Sequence, residues 1–183
     1  MMDINTTLLL GGARSGKSGF GEELALMSGL LPLYIATAQA RDGEMKDRIH
    51  RHQKQRDRPW QTIEEPLKLT RIIEQEARPE RVLLIDCLTL WLSNLLEKNM
   101  DPVKETEELC LTLGASLGPV ILISNEVGQG IVPANPLARR FRDEAGRLNQ
   151  RIGAIVPDVS LIIAGLCLPL KRNGKTVDHH LER

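Results

Sequence analysis

The sequence is poor in aromatic residues and has no excess of either charge. Phe, Trp and Tyr together make up 3% of the 183 residues, which disfavours a surface that stacks the bases of single-stranded nucleic acid. Lys and Arg number 24 and so do Asp and Glu, which gives a formal net charge of zero. A balanced charge does not indicate a nucleic acid or an anionic membrane as a partner. We therefore expect no nucleic-acid partner.

The chain also lacks long apolar runs and closely spaced cysteines. No apolar run reaches the roughly 20 residues that span a bilayer, and the first residues lack the basic and then apolar pattern of a secretory signal. Cys87, Cys110 and Cys167 lie far apart, which disfavours a zinc or redox motif and favours their interpretation as small buried residues. The sequence therefore predicts a cytoplasmic protein without a membrane span.

The length of the chain favours a single domain over residues 1–183. We expect its folded core at residues 1–170. The polar C-terminal end, residues 171–183, is predicted to be a mobile tail.

Short apolar runs alternate along the chain with longer stretches of helical periodicity. This order is typical of a parallel sheet that is covered by helices. The predicted strands are Thr7–Leu10, Leu33–Thr37, Arg81–Asp86, Val120–Ser124 and Val159–Ala164. The predicted helices are Ser18–Met27, Leu67–Ala77, Leu88–Glu97, Val103–Leu117 and Leu137–Ile155.

Residues 11–18 read GGARSGKS directly after the first predicted strand and match a phosphate-binding loop. Glycines let such a loop turn tightly with its backbone N–H groups aimed at phosphate oxygens. Lys17 supplies positive charge to the β- and γ-phosphates, and the Ser18 hydroxyl is a ligand for Mg²⁺. The nucleotide contacts predicted here are Gly11, Gly12, Ala13, Arg14, Ser15, Gly16, Lys17 and Ser18. The loop and the alternating segments together predict an α/β fold of the P-loop NTPase (RecA-like) class, with a mostly parallel sheet flanked by helices.

The predicted strand Arg81–Asp86 ends in a carboxylate, as the second nucleotide motif of P-loop proteins does. We expect this strand to be adjacent to the first one, which would bring Asp86 close to Ser18 and the phosphates, where both can hold Mg²⁺. As an alternative, Asp86 caps the helix that begins near Leu88. Both interpretations can hold at the same time.

Residues 40–59 are rich in Arg and Lys and have few large apolar side chains. One interpretation is a solvated helix and loop. The other is a functional arm, because the segment follows a strand at the carboxyl edge of the sheet, where α/β proteins bind ligands. His50 and His52 lie in this segment, and on a helix they would point about 200° apart and would not share a metal. A neutral imidazole near a triphosphate is a nucleophile for phosphorus, and neighbouring cations favour its unprotonated form.

Five stretches of the chain, taken together, resemble one known enzyme family. They read GGARSGKS at 11–18, YIATAQ at 34–39, DRIHRH at 47–52, NEVGQGIVP at 125–133 and ARRFRDEAGRLNQ at 138–150. The family is the bifunctional adenosylcobinamide kinase/adenosylcobinamide-phosphate guanylyltransferase of cobalamin biosynthesis. The glycine loop is shared with many families, whereas the fourth and fifth stretches together are specific.

The resemblance implies two reactions. Adenosylcobinamide is phosphorylated by ATP or GTP, and GMP is then transferred from GTP through a GMP-histidine intermediate. It implies that His52 is the nucleophile and Lys17 a catalytic residue, with Ser18 and Asp86 as ligands of Mg²⁺. Further nucleotide contacts are implied at Thr37, Ala38, Gln39, Gln53, Lys54, Gln55, Arg56, Glu64 and Asp86. The family often has Lys or Arg at the position of Gln53. The implied partners are the corrinoid substrate and further copies of the chain in a homotrimer.

Two other functions fit part of the sequence. An ordinary P-loop kinase of a small metabolite explains the glycine loop and Asp86 and leaves His52 without a role. A nucleotide-dependent switch or an assembly ATPase is disfavoured, because the chain lacks the Asn-Lys-x-Asp signature with which small GTPases read guanine. Residues 125–150 are interpreted mostly as scaffold with solvated charges.

Overall fold

The computed structural model describes residues 4–39 and 60–178. Within these ranges the chain forms eight strands and five helices. The strands are β1 Thr7–Gly11, β2 Leu31–Ala36, β3 Gln61–Glu64, β4 Arg81–Asp86, β5 Val120–Asn125, β6 Asp158–Ile163, β7 Leu166–Arg172 and β8 Lys175–Thr176. The helices are α1 Lys17–Met27, α2 Leu69–Glu76, α3 Leu88–Glu97, α4 Pro102–Gly114 and α5 Pro136–Ile155.

The strands form one sheet in the order β3-β2-β4-β5-β1-β6-β7-β8. Neighbours from β3 to β6 pair in parallel, whereas β7 and β8 pair antiparallel. In the parallel part all strands end at the same edge of the sheet. This mostly parallel sheet with flanking helices is the predicted α/β architecture.

Alternate residues of the central strands face opposite sides of the sheet, and each side has its own apolar cluster. Leu8, Leu83 and Leu122 pack with the buried faces of α2, α3, α4 and α5. Leu9 and Leu84 belong to the cluster on the other side, where α1 contributes Ala25. Both faces of the sheet are therefore buried, which explains why these strands are nearly continuously apolar.

Two of the helices begin at residues that the sequence makes easy to recognise. Asp101 precedes α4 and accepts a hydrogen bond from the Val103 N–H at 2.9 Å. Asn135 precedes α5 and accepts one from the Leu137 N–H at 2.8 Å. In both cases proline follows the cap at the first helical position, where its missing N–H costs nothing.

All five predicted strands and all five predicted helices occur. Arg81–Asp86 and Leu88–Glu97 even have the predicted bounds. The sequence analysis missed β3, β7 and β8. Strand β3 reads QTIE, lies at the edge of the sheet and has three polar residues of four, so it lacks the apolar pattern of a buried strand.

The prediction of a mobile tail from residue 171 is wrong for residues 171–176. Lys171 pairs with Thr176 and Arg172 with Lys175 across β7 and β8. The two strands are joined by Asn173 and Gly174, with φ of 48° and 78°, as a two-residue type I′ hairpin turn requires. The sheet thus continues past the expected core boundary at residue 170, and residues 179–183 lie outside the described residues.

The expectation that the strands of the two nucleotide motifs are neighbours is also wrong. Strand β5 lies between β1 and β4 and pairs with both. Helix α1 nevertheless crosses the sheet over these strands. A Cβ added at Gly21 would lie 3.0 Å from Leu84 Cδ1 and 3.3 Å from the Cδ1 atoms of Ile123 and Leu9. This close approach carries the start of α1 towards the end of β4.

Helix length and hydropathy give no sign of a membrane span. Among the helices in residues 4–39 and 60–178, none is both long and apolar enough to cross a bilayer.

Candidate active site

The candidate site lies at the carboxyl edge of the parallel strands, where the pairing brings several strand ends level. Asp86 of β4 is in register with Ala36 of β2, and Ala36 is in register with Glu64 of β3. On the other side, Gly11 at the end of β1 is in register with Asn125 at the end of β5. In open α/β sheets this edge is where ligands bind.

The phosphate-binding loop, residues 11–18, joins β1 to α1 and needs glycine at two positions. A Cβ at Gly11 would collide with the carbonyl oxygen of Ile162 and lie 2.7 Å from Ser15 Oγ. Gly16 has φ of 101°, and a Cβ there would lie 3.2 Å from the Cα of Gly165. Arg14 adopts φ of 56° although it is not glycine, and its side chain is exposed at the turn of the loop.

Two backbone hydrogen bonds attach this loop to neighbouring turns. The Gly165 N–H donates to the Ser15 carbonyl at 2.9 Å, and the Glu126 N–H donates to the Gly11 carbonyl at 3.0 Å. Gly165 belongs to the two-residue turn between β6 and β7, in which Ala164 and Gly165 have φ of 52° and 78°. The antiparallel hairpin therefore supports the loop from one side.

The Lys17 ammonium is held inside the loop. Lys17 is 6% exposed, and its Nζ donates to the Gly12 carbonyl at 2.6 Å and lies 3.5 Å from Ser15 Oγ. Within the described chain no side chain caps α1, whose N-cap residue is Gly16. The first N–H groups of α1 and the Lys17 charge lie at the same end of this helix, which favours a polyphosphate there.

Ser18 and Asp86 are in direct contact, although β1, which precedes the phosphate-binding loop, and β4, which ends at Asp86, are not adjacent. The Ser18 hydroxyl donates to Asp86 Oδ2 at 2.7 Å, and the Tyr34 hydroxyl donates to the same oxygen at 2.9 Å. The alternative in which Asp86 caps α3 is wrong, because Cys87 is the N-cap residue and this helix has no side-chain cap. The Asp86 carboxylate is directed into the site instead.

The donor atoms of Ser18 and Asp86 fit Mg²⁺, which prefers hydroxyl, carboxylate and phosphate oxygens. Residues 4–39 and 60–178 contain no group of three or more His, Cys, Asp and Glu side chains that could hold a metal ion. Mg²⁺ that is bound by one or two protein oxygens usually completes its coordination with substrate phosphates and water.

A family model described as cobinamide kinase / cobinamide phosphate guanyltransferase matches residues 7–170. The chain belongs to this cobinamide kinase / guanyltransferase family. The match spans β1 to β6 and most of β7, and it confirms the resemblance seen in the sequence. The protein is thus an enzyme of this kinase and guanylyltransferase family, which acts in adenosylcobalamin biosynthesis.

Curated relatives agree with the family. The bifunctional adenosylcobalamin biosynthesis protein CobP of Pseudomonas aeruginosa is 52% identical over 167 residues, which cover 90% of this chain and 96% of the relative. The corresponding protein CobU of Escherichia coli K12 is 38% identical over 179 residues, with 90% of this chain and 98% of the relative covered.

Solved structures with a similar fold are much more distant in sequence. A Pyrococcus horikoshii OT3 protein has a TM-score of 0.51 at 14% identity, with 97% of this chain and 94% of that chain covered. An ATPase from a bacterial type III secretion system has a TM-score of 0.50 at 12% identity, with 90% of this chain and 56% of that chain covered. At such identities the likeness concerns the fold alone, and it agrees with a mostly parallel sheet that is flanked by helices.

In this kinase and guanylyltransferase fold, Thr37 makes hydrogen bonds to neighbouring parts of the protein. Its side chain is fully buried, and its Oγ1 donates to the Cys87 carbonyl and accepts from the Cys87 N–H, both at 2.8 Å. Its N–H donates to the Asp86 carbonyl at 3.1 Å, and its carbonyl accepts from Asn94 Nδ2 at 2.9 Å. Thr37 therefore joins the ends of β2 and β4, and its predicted nucleotide contact stays a prediction.

The other predicted contacts differ in where they lie. Ala38 and Gln39 follow Thr37 at the site edge and are half-buried, whereas Glu64 at the end of β3 is exposed. The predicted nucleophile and the contacts that follow it lie outside the described residues. They are His52, Gln53, Lys54, Gln55 and Arg56.

The candidate site also contains residues that the sequence analysis did not single out. Tyr34 contacts Asp86, and Thr89 Oγ1 accepts hydrogen bonds from the N–H and Nδ2 of Asn125 at 2.9 and 3.0 Å. The sequence holds a signal for the contact between Tyr34 and Asp86: Tyr34 is a polar-tipped aromatic residue within an otherwise aliphatic buried strand, and the hydroxyl of a buried tyrosine usually has a hydrogen-bond partner. Burial raises the pKa of the neighbouring Cys87 thiol, and the Asp86 charge raises it further, so this thiol is neutral at neutral pH.

Proposed function

We propose that the protein carries out two successive reactions on one corrinoid substrate. In the first, the aminopropanol hydroxyl of adenosylcobinamide attacks the γ-phosphorus of ATP or GTP. The bond from this phosphorus to the β,γ-bridging oxygen breaks, the nucleoside diphosphate leaves and the hydroxyl proton is released. In the second, GMP passes from GTP to the new phosphate, which yields adenosylcobinamide-GDP and pyrophosphate. Family membership supports both reactions.

One structural observation carries this proposal: a lysine, a serine and a carboxylate converge on one glycine loop. Lys17 lies within the loop, and Ser18 is hydrogen-bonded to Asp86. We assign Lys17 to the β- and γ-phosphates and Ser18 with Asp86 to Mg²⁺. When bound, Mg²⁺ neutralises phosphate charge; the protein supplies the loop N–H groups, which orient the triphosphate for in-line attack.

We assign the second reaction to His52. Its imidazole nitrogen attacks the α-phosphorus of GTP, the bond to the α,β-bridging oxygen breaks and pyrophosphate leaves. A phosphate oxygen of the corrinoid then attacks the same phosphorus and the imidazole leaves. Because the phosphoramidate keeps the GMP group activated, one condensation becomes two displacements. The basic residues 40–59, which surround His52 in sequence, would stabilise the leaving pyrophosphate.

The test uses GTP that is labelled at the α-phosphorus, followed by denaturation of the protein. We expect acid-labile and alkali-stable label on the wild-type chain. His52→Ala should lower this label by about 100-fold or more, because the nucleophile is removed, and should leave phosphorylation of cobinamide within a few-fold. His50→Ala is the matched control, since it removes a histidine from the same segment and should keep the label.

Each contrary result has a definite meaning. A wild-type protein that takes no label refutes the guanylyltransferase half and favours a single-function kinase. Label that survives His52→Ala and disappears in His50→Ala identifies His50 as the nucleophile. Slow GTP hydrolysis that needs no corrinoid, together with no label, favours a nucleotide-dependent switch.

A further inference from the structure

We propose that Tyr34 is a positioning residue that fixes the Asp86 carboxylate for a nucleotide-bound cation. This inference rests on the proposed function, in which Ser18 and Asp86 hold that cation. Tyr34 does not contact the reacting atoms and acts through Asp86. The proposal adds a residue of β2 to a site that otherwise uses the loop after β1 and the end of β4.

The two hydrogen bonds to Asp86 end on one oxygen. Ser18 donates to Oδ2 at 2.7 Å and Tyr34 donates to the same Oδ2 at 2.9 Å. Among the residues that the structure describes, no hydrogen bond reaches the second oxygen, Oδ1. The carboxylate is half-buried, so Oδ1 is the oxygen that is left for a ligand, and the two donors on Oδ2 determine where it points.

The two donors differ in what else they do. The Ser18 hydroxyl is itself assigned to the cation, so its geometry depends on whether the nucleotide is bound. The Tyr34 side chain is 5% exposed and belongs to the apolar cluster under α1. Its ring also meets Trp60 edge to face, with centroids 6.1 Å apart and planes at 79°. Tyr34 therefore holds Oδ2 whether or not a nucleotide is present.

The strand pairing explains why a residue of β2 reaches the end of β4. Ala36 is in register with Asp86 and Tyr34 with Leu84. Tyr34 and Ala36 lie on the same face of their strand, two residues apart. A long side chain at position 34 spans this diagonal, and a shorter one would not.

Removal of the phenol oxygen should weaken the cation's contribution to nucleotide affinity and leave the phosphate-binding loop intact. Tyr34→Phe keeps the ring and its packing and leaves Oδ2 with one donor. Because Tyr34 acts on the cation only through Asp86, we expect the effect of an ordinary hydrogen bond, an about three- to tenfold change in an equilibrium constant, rather than the larger effect of a bond to a charged group. We expect the gain in nucleotide affinity on addition of Mg²⁺ to fall by this factor, while affinity in EDTA stays unchanged.

The measurement is calorimetric titration with the α,β-methylene analogue of GTP, which cannot transfer GMP, in Mg²⁺ and in EDTA. The protein is the full chain without corrinoid. Thr106→Val is the matched control: its hydroxyl is buried and donates to the Pro102 carbonyl at 2.6 Å, away from the site. Both variants lose one buried hydroxyl, and only Tyr34→Phe should change the ratio of the two affinities.

The outcomes separate this inference from the proposed function. If the wild-type affinity does not depend on Mg²⁺, the assignment of Ser18 and Asp86 fails. If it does and Tyr34→Phe keeps the wild-type ratio, the role of Tyr34 is structural and our inference is overturned. Equal losses in Mg²⁺ and in EDTA would overturn it as well.

A second measurement covers the case in which Tyr34→Phe does not fold. The chain has one tyrosine, so biosynthetic 3-fluorotyrosine gives one ¹⁹F resonance that reports on Tyr34 alone. We expect this resonance to shift when Mg²⁺ is added to the complex with the GTP analogue. A resonance that stays unchanged would contradict the proposal.

Discussion

Two loops that leave adjacent parallel strands at the same edge have opposite character. The phosphate-binding loop follows β1, and the β5–α5 loop, residues 126–135, follows β5. Gly11 and Asn125 at their starts are in register. The first loop contains the buried Lys17 and is tied to neighbouring turns through the Gly165 and Glu126 N–H groups.

The β5–α5 loop is fixed mainly at its ends. Asn125 is bonded to Thr89, and Arg139 Nη1 donates to the Pro133 and Ala134 carbonyls at 2.9 and 2.6 Å. Between these ends Ile131 is 97% exposed and Val132 62% exposed. The phosphate-binding loop is therefore held in one shape by its own contacts, whereas the β5–α5 loop keeps apolar side chains in solvent beside it.

The largest effect is expected from a glycine substitution in the phosphate-binding loop. Gly16→Ala places a side chain at φ of 101° and 3.2 Å from Gly165 Cα. The strain, of about 1–2 kcal/mol, must distort the loop, and we expect nucleotide affinity to fall at least about tenfold. Calorimetric titration with the α,β-methylene GTP analogue measures it.

Gly19→Ala is the matched control, because Gly19 lies in the first turn of α1 and outside the predicted nucleotide contacts. A Cβ at Gly19 meets nothing within 4 Å, so the affinity of this variant should stay near that of the wild type. Equal losses for both variants would show that the loss does not come from the backbone conformation at Gly16, and the argument from Gly165 would fail.

A smaller effect is expected at the base of the β5–α5 loop. Thr89→Val removes the acceptor of both Asn125 donors and should cost about 1–3 kcal/mol of unfolding free energy. Urea denaturation measures this cost. Thr112→Val is the control, because its hydroxyl bonds only the Glu108 carbonyl of its own helix and is exposed. If both variants lose the same free energy, Asn125 does not anchor the loop.

The smallest effect is expected inside the β5–α5 loop. Ile131→Val removes one methylene from a side chain in solvent and should change the unfolding free energy by less than about 0.5 kcal/mol. Ile123→Val removes the same group from a side chain that is 1% exposed and should cost about 0.5–1.5 kcal/mol. If the melting temperature of Ile131→Val falls below that of the wild type as far as that of Ile123→Val does, Ile131 is packed in solution.

The buried strands and helices were predictable because burial alone determines their sequence pattern. Strands such as β4 and β5 are covered on both faces and read as continuous apolar runs. The antiparallel extension was missed for a different reason: Pro169 interrupts β7, at a position where the pairing with β6 shifts register. Asn173-Gly174 is a strong hairpin signal, but the residues on both sides of it are polar and do not read as buried strands.

The candidate site likewise has features that the local sequence predicts and features that it does not. The GGARSGKS stretch and the carboxylate at Asp86 follow from local spacing, because loop chemistry demands those residue types. The order of the strands places β5 between β1 and β4. No local sequence pattern predicts this order. The contact between Tyr34 and Asp86 depends on pairing register, so it needed the three-dimensional structure.

The hydrogen bond between Gly165 and Ser15 also bears on the order in which the protein is made. A ribosome synthesises the phosphate-binding loop well before it reaches the β6–β7 turn. A nascent chain that stops before this turn lacks the donor for the Ser15 carbonyl and the backbone that packs on Gly16. The phosphate-binding loop therefore acquires its final shape only after the β6–β7 turn has been made, and chains that stop before this turn should bind nucleotide poorly.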